Sequence, residues 1–320
     1  MKSQAKAIDL ELRKLDASQA TERLTYVQAY LPDSFFKTEN DPISCLLLFK
    51  RLSFKSKLIL KHLDQSNPIS DLLNDKIPET LTSVCDMRQK LGWLEDLSKR
   101  FVSHIEVSNV REFLKFGQVY HDLVGTERRL NGIVELLRSE ELRESECIAD
   151  VQRMIAQLEH LSEVYLTPSD TASSEYFSGL ARSLDHNTDT IIVGANYLKQ
   201  LMQSSNTSGE EGFSIAEGWE KLEYDFIEPI TRLSTHGRTS KTIIKKLLRR
   251  LEDLSEQALT LRPEYLANFR DMYTKSSRIA QLCIQVRRRT RCINKAVSAT
   301  EIYAPTGVQG SFTDGASKAR

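Results

Sequence analysis

The residues with the clearest chemical capacity are five cations, Lys241, Lys245, Lys246, Arg249 and Arg250, in the segment KTIIKKLLRRLEDL from Lys241 to Leu254. At about 100° per residue, with Lys241 at zero, Lys245, Arg249, Lys246 and Arg250 fall near 40°, 80°, 140° and 180°. On the same wheel Ile243, Leu254, Leu247, Leu251, Ile244 and Leu248 occupy roughly 200° to 340°. The chemistry this arrangement offers is electrostatic recognition. A cationic face backed by an apolar one fits an anionic membrane surface or an acidic groove on a partner. It also describes an ordinary core helix whose basic face is solvated or turned toward acidic residues of the same chain. These five are the candidate partner-binding residues. A second basic run, Arg287, Arg288, Arg289 and Arg291, spreads around its helix and suits the negative end of a helix dipole. No aromatic stacking pattern accompanies it, which argues against nucleic acid as a partner.

Bond-making chemistry finds no comparable pattern. The six histidines supply no pair at metal-ligand spacing, and there is no Glu-x-x-His or His-Glu-x-x-His. His160, beside Glu159 and Glu163, reads as a polar cluster on a helix surface. Gly209-Glu210-Glu211-Gly212 lacks both the glycine spacing and the following lysine that would cradle a phosphate. No catalytic residue, metal or cofactor is therefore assigned, and the chain reads as a non-enzyme. Trp93 and Trp219 each sit in a helical apolar pattern and read as core anchors, as do Phe113, Phe116 and Tyr120 at helical spacing.

The elements that must carry these residues are all helical. Glycine and proline are sparse and no alternating β-branched run is long enough for a sheet, so the expected fold is an all-α, multi-helix bundle of antiparallel helices entered by a coiled-coil helix. Ala5, Ile8, Leu12 and Leu15 follow a heptad step. The same frame then meets Gln19 and Glu22, the apolar face moves to Leu24, Val27 and Leu31, and Pro32 stops the helix. Asp33 and Ser34 are placed to cap the next segment, and Phe35 and Phe36 to anchor the incoming rod on a core. Helices are expected over 43–63, 79–104, 108–124, 126–139, 146–166, 174–203, 215–233, 240–261 and 263–300. Pro229 should kink the helix that contains it, and Gly237 should close that helix. The expected organisation is a coiled-coil end at 1–31, a first helical subdomain at 32–166, a second at 167–300 and a disordered tail at 301–320. The polar stretch from Thr167 marks the seam, and Ser204 to Gly212 reads as a mobile loop.

A chain of 320 residues can bury roughly three quarters of its unfolded surface, enough for one large domain or two smaller ones. Cys45, Cys85, Cys147, Cys283 and Cys292 lie singly in apolar runs, a pattern of reduced buried thiols in the cytosol. No apolar leader and no apolar run near the roughly 18 residues of a membrane span are present, so the expected location is cytoplasmic. Asn206-Thr207-Ser208 matches a glycosylation triplet but reads as loop sequence. Formal charge is balanced at 44 basic and 44 acidic residues, yet it is segregated: from Glu127 to Glu228 there are 20 acidic and 8 basic residues, and from Arg232 to Lys295 there are 16 basic and 5 acidic. Such asymmetry either marks a basic surface for an acidic partner or lets the two regions face each other within the fold.

Ala-Ile-x-x-Glu-Leu-Arg at 7–13, Pro-Asp-Ser-Phe at 32–35 and Leu-Leu-Leu-x-x-Arg-Leu at 46–52 resemble the family of large, Glued-type dynactin subunits. The resemblance is to the end of the first coiled coil and the intercoil domain behind it. Glu127-Arg128-Arg129-Leu130 and Glu135-Leu136-Leu137 resemble the mid-domain helices of that family, so the similarity covers most of residues 5–295, as in a divergent, fungal-like member. The resemblance implies a non-catalytic scaffold: a spacer between coiled coils that supports dynein–dynactin assembly and microtubule-based transport. It also implies homodimerisation through flanking coiled coils, with dynein and other dynactin subunits as partners, and it allows an intramolecular contact with the preceding coil. In this family the first coiled coil engages the intermediate chain of cytoplasmic dynein. No microtubule-binding cap-glycine domain lies in these residues. The competing reading is a membrane-trafficking tether whose basic helix touches anionic lipid.

Overall fold

The computed structural model describes residues 2–68, 77–166, 174–204, 223–257 and 259–302. Every regular element among the described residues is helical and none is a strand. The order is α1 (Lys2–Gln28), α2 (Asp33–Thr38), α3 (Asn40–Ser66), α4 (Glu79–Val107), α5 (Val110–Arg138), α6 (Glu144–Tyr165), α7 (Ser174–Ser204), α8 (Glu228–Glu256) and α9 (Leu266–Ile302). A π turn, Glu223–Ile227, leads into α8, and a 3-10 turn, Pro263–Tyr265, leads into α9. The expected polar break from Thr167, the 204–212 loop beyond Ser204 with its Asn206 triplet, Trp219, and the tail from 303 onward lie outside the described residues.

α1 ends at Gln28, and Pro32 occupies the N-cap of α2. Every described side chain from 14 to 30 is exposed, Leu15, Leu24 and Val27 included. From Lys14 onward α1 therefore leaves its large apolar side chains largely exposed. Asp33 and Ser34 make no capping hydrogen bond, although Asp33 sits in the first turn of α2, where its charge suits the dipole. The aromatic landing is lighter than expected: Phe35 is half-buried, Phe36 is exposed, and the two rings meet edge to face at 5.4 Å.

The main core joins α3, α4, α5 and α6. Phe49 stacks on Phe101 with centroids 4.4 Å apart, surrounded by Leu48, Leu52, Leu94, Phe116, Val151 and Leu158. α5 starts on Asn109, whose side chain accepts from the Glu112 backbone N–H at 3.0 Å. It then runs on without the expected break near 125. Leu123, Thr126, Leu130 and Ile133 share its buried face, and that burial outweighs the helix penalty of about 1 kcal/mol at Gly125. It stops in a Schellman turn, where the Glu141 N–H reaches the Leu136 carbonyl and the Glu140 N–H the Leu137 carbonyl, with Glu140 at φ 59. Arg88 of α4 donates to the Leu63 and Asn67 carbonyls and pairs with Asp64, closing the C-terminal end of α3.

A second cluster joins α7, α8 and α9 through Tyr176, Phe177, Leu180, Leu251 and Phe269. Trp93 of α4 packs against both clusters and stacks on Tyr273 at 5.0 Å. α4 and α7 meet along a polar seam. Gly92 lies against His186 and Gly179 against Asp96, and Arg182 donates to the fully buried Asp96 at 2.6 and 2.8 Å. Burial pushes the Asp96 carboxyl upward, and the Arg182 guanidinium opposes part of that shift.

Two punctuation marks act differently from expectation. Pro229 falls in the first turn of α8, where a missing N–H costs nothing, and the irregularity is the π turn before it. Gly237 does not close a helix: α8 runs through it to Glu256.

Candidate functional site

Gly237 is the residue that seats the basic helix. A Cβ there would lie 2.7 Å from Ile192 Cγ1, so the absence of a side chain lets α8 approach α7 closely. One turn later Lys241 reaches two carboxylates of α7. Its Nζ lies 2.5 Å from Asp189 Oδ1 and 3.3 Å from Asp185 Oδ2. Burial raises the Asp189 carboxyl above its ordinary value, and Lys241 works against that rise.

Contact with α7 also sets which arc of α8 is covered. Ile244 and Leu251 are buried, Leu247 and Leu248 are half-buried, and Ile243 is exposed. On the wheel the covered arc is centred near 300°, rather than spanning the whole apolar arc evenly. That displacement draws Lys241, at 0°, into the interface and leaves Ile243, at about 200°, beside the basic face.

The five candidate cations therefore divide. Lys241 is an internal tether between the acidic and basic parts of the chain. Lys245, Lys246, Arg249 and Arg250 are exposed, and none forms an ion pair among the described residues. They lie within two turns on a helix anchored on its opposite side, an arrangement that presents four positive charges to an external anionic surface. The sequence reading missed Asp185 and Asp189, although their i, i+4 spacing in a helical stretch places both on one face.

Arg289 is exposed on α9, while the side chains of Arg287, Arg288 and Arg291 lie outside the described residues. Trp93 Nε1 donates to Glu159 Oε1 at 2.8 Å, so the Glu159–His160–Glu163 cluster is partly committed to holding an aromatic anchor. Beside it is a cleft of about 600 Å³ lined in part by Arg100, Glu163, Tyr176 and Arg270. Arg100 stacks over the Tyr176 ring at 4.2 Å, and Arg270 Nε donates to the Tyr176 hydroxyl at 3.1 Å. Phe116 is buried, with Phe113 and Tyr120 packed against the same core. Cys45, Cys85, Cys147 and Cys283 are buried free thiols, and burial pushes Cys45 and Cys85 up to about 12. Cys292 lies where side chains are not described. No helix among the described residues is long and apolar enough to cross a membrane.

A family model described as "Dynactin: Dynein associated protein" matches residues 1–251, a span that ends at Leu251 and includes the basic face. Dynactin subunit 1 of Xenopus laevis is 24% identical over 217 residues, covering 65% of this chain and 18% of the relative. Dynactin subunit 1 of Gallus gallus is 26% identical over 173 residues, 52% of this chain and 14% of the relative. Dynactin subunit 1 of Drosophila melanogaster is 21% identical over 218 residues, 65% of this chain and 17% of the relative. The matched region thus spans less than a fifth of each of these relatives.

Proposed function

The chain belongs to the dynactin family of dynein-associated proteins, and from that premise we propose that it is a non-catalytic scaffold of the dynactin large subunit. It acts as a spacer between coiled coils and offers the exposed face of α8 to an acidic surface of the dynein–dynactin machinery. The observation that carries this reading is the division within α8. Lys241 is held internally by Asp185 and Asp189, whereas Lys245, Lys246, Arg249 and Arg250 are exposed and have no ion-pair partner among the described residues. A solvated face would serve solubility alone, but four cations on two turns of a fixed helix form a concentrated positive field that selects an anionic partner.

The organisation proposed is a coiled-coil end at 1–31, helical subdomains at 32–166 and 167–300, and a tail at 301–320. The main core from Cys45 to Leu166 and the cluster from Tyr176 to Phe269 support two packing units that meet along α4, where Trp93 packs against both and Leu81 and Cys85 cluster with Val193 of α7. The unburied apolar residues of α1 support pairing with a second helix, as a homodimeric coiled coil requires. A fold-back of the bundle onto that coil would use the same surface. The proposed setting is the cytoplasm, with dynein and other dynactin subunits as partners. Co-sedimentation of the chain with purified dynein and dynactin components tests this. The unmodified chain should be retained, and the combined reversal Lys245→Glu, Lys246→Glu, Arg249→Glu and Arg250→Glu should release it. Equal retention of both forms would remove α8 from the partner surface.

A further inference from the structure

α3 buries one face and carries a second apolar stripe on the opposite one. Cys45, Leu48, Leu52, Ile59 and Leu63 enter the core. Ile43, Leu47, Phe54 and Leu58 are each between 37% and 68% exposed. Their 4-7-4 spacing keeps them within about 60° of one another, on the side away from the core. At 1.5 Å per residue the stripe is about 22 Å long, roughly four helical turns. Large side chains scattered singly on a surface need no explanation, but a line of four in register along one helix does.

The charge that α3 itself contributes along this stripe has one sign up to Leu63, and carboxylates of neighbouring helices neutralise only part of it. From Pro42 to Leu63 there are five lysines and arginines and no aspartate or glutamate. Arg51 and Lys55 are bound by Glu127, and Lys50 pairs with Glu106. Lys57 and Lys61 are exposed, make no ion pair among the described residues, and lie at about 320° and 0° when Ile43 is zero, alongside the apolar line.

We propose that the outward face of α3 is a docking ridge for an acidic amphipathic helix of a partner protein. The narrow width fits one helix packed along another, with its apolar seam on Ile43, Leu47, Phe54 and Leu58 and its carboxylates toward Lys57 and Lys61. A second copy of α3 is a poor occupant, because two ridges of the same charge would repel. α1 is also a poor match, since it carries both signs in near balance. A lipid surface would favour a broader apolar area than one helix edge supplies. The ridge is separate from the α8 face, so the two surfaces succeed or fail independently.

The test uses the whole chain and a labelled helical peptide of about three heptads, with leucine at the seam and glutamate at the flanking positions, compared with a lysine-flanked version. Fluorescence anisotropy should show binding of the acidic peptide and little of the basic one. Leu47→Ser with Phe54→Ser should weaken binding about tenfold or more. Lys57→Glu with Lys61→Glu should reverse the preference toward the basic peptide, and circular dichroism should show that both variants remain folded. Equal binding of the two peptides, or none, overturns the proposal. So does phosphatidylserine-vesicle flotation that depends on Leu47 and Phe54, which would assign the ridge to lipid. Self-association that the same variant abolishes would assign it to a second copy, and overturn it equally.

Discussion

Replacing Lys241 with methionine should destabilise the fold, whereas reversing its four basic neighbours should not. The methionine keeps the length and apolar body of the side chain and removes only the charge, so the loss is electrostatic. The side chains of Lys241, Asp189 and Asp185 are 21%, 12% and 20% exposed, so the group is mostly but not wholly out of water. Removing one partner of a fully buried pair costs ~3–5 kcal/mol, and water access here brings the expected loss to ~2 kcal/mol. The pH dependence follows from Asp189. Its folded carboxyl already lies above the ordinary value because of burial, with Lys241 holding it down. Without Lys241 it rises further, so the folded variant binds a proton that the unfolded chain has released, and stability falls as pH climbs out of the acid range. The deficit of the variant should therefore be full at neutral pH and shrink as the medium approaches the ordinary carboxylate range. Urea unfolding followed by circular dichroism at pH 7 and at pH 4 measures both. A Lys241→Met variant as stable as the parent at pH 7, or a quadruple reversal that loses as much stability, would refute the division of the basic face.

Glu127→Gln should weaken the α3–α5 contact by ~1.5 kcal/mol at neutral pH, the low end for charge-assisted bonds because Arg51 is well exposed and rehydrates. Arg51 and Lys55 hold the Glu127 carboxyl at about 2, below its usual 4.5. The stabilisation is therefore complete above the ordinary value and disappears as pH falls toward 2, so the parent and the variant should converge in acid urea melts. Glu140→Gly should stabilise by ~0.5–1 kcal/mol, because glycine relieves the left-handed conformation at φ 59 while the two Schellman bonds remain. Gly237→Val should cost ~2 kcal/mol through the clash with Ile192. Gly132→Ala, which meets nothing within 4 Å, should instead gain up to ~1 kcal/mol. Thermal melts of the three variants would expose an error in sign.

What the sequence displayed well was periodic. The helical class, the spans of α3, α4, α6 and α7, the core role of Trp93 and the amphipathic character of α8 follow from apolar spacing alone. Glycine and proline were harder to read, because their effect depends on what stands opposite. Gly237 resembles a helix stop in one dimension and is a close-approach site in three. Gly125 resembles a break and is carried through by its buried neighbours. Pro229 needs only a shift of helix start to change from a kink to a first-turn residue. The split of the basic face was likewise invisible. The wheel gives the angle of Lys241 but not the rotation of α8 about its axis, which is fixed by α7. The polar seam of Asp96 and Arg182 joins residues 86 positions apart, a pairing no local pattern encodes.

The most direct test of the scaffold assignment is the affinity of the chain for purified dynein and dynactin components across a salt series, with the four-residue reversal of Lys245, Lys246, Arg249 and Arg250 run in parallel. Binding by the parent chain should weaken steadily as salt screens the basic face, and the reversal should lose both the binding and its salt dependence. Binding of equal strength and equal salt response in the two proteins would contradict the assignment.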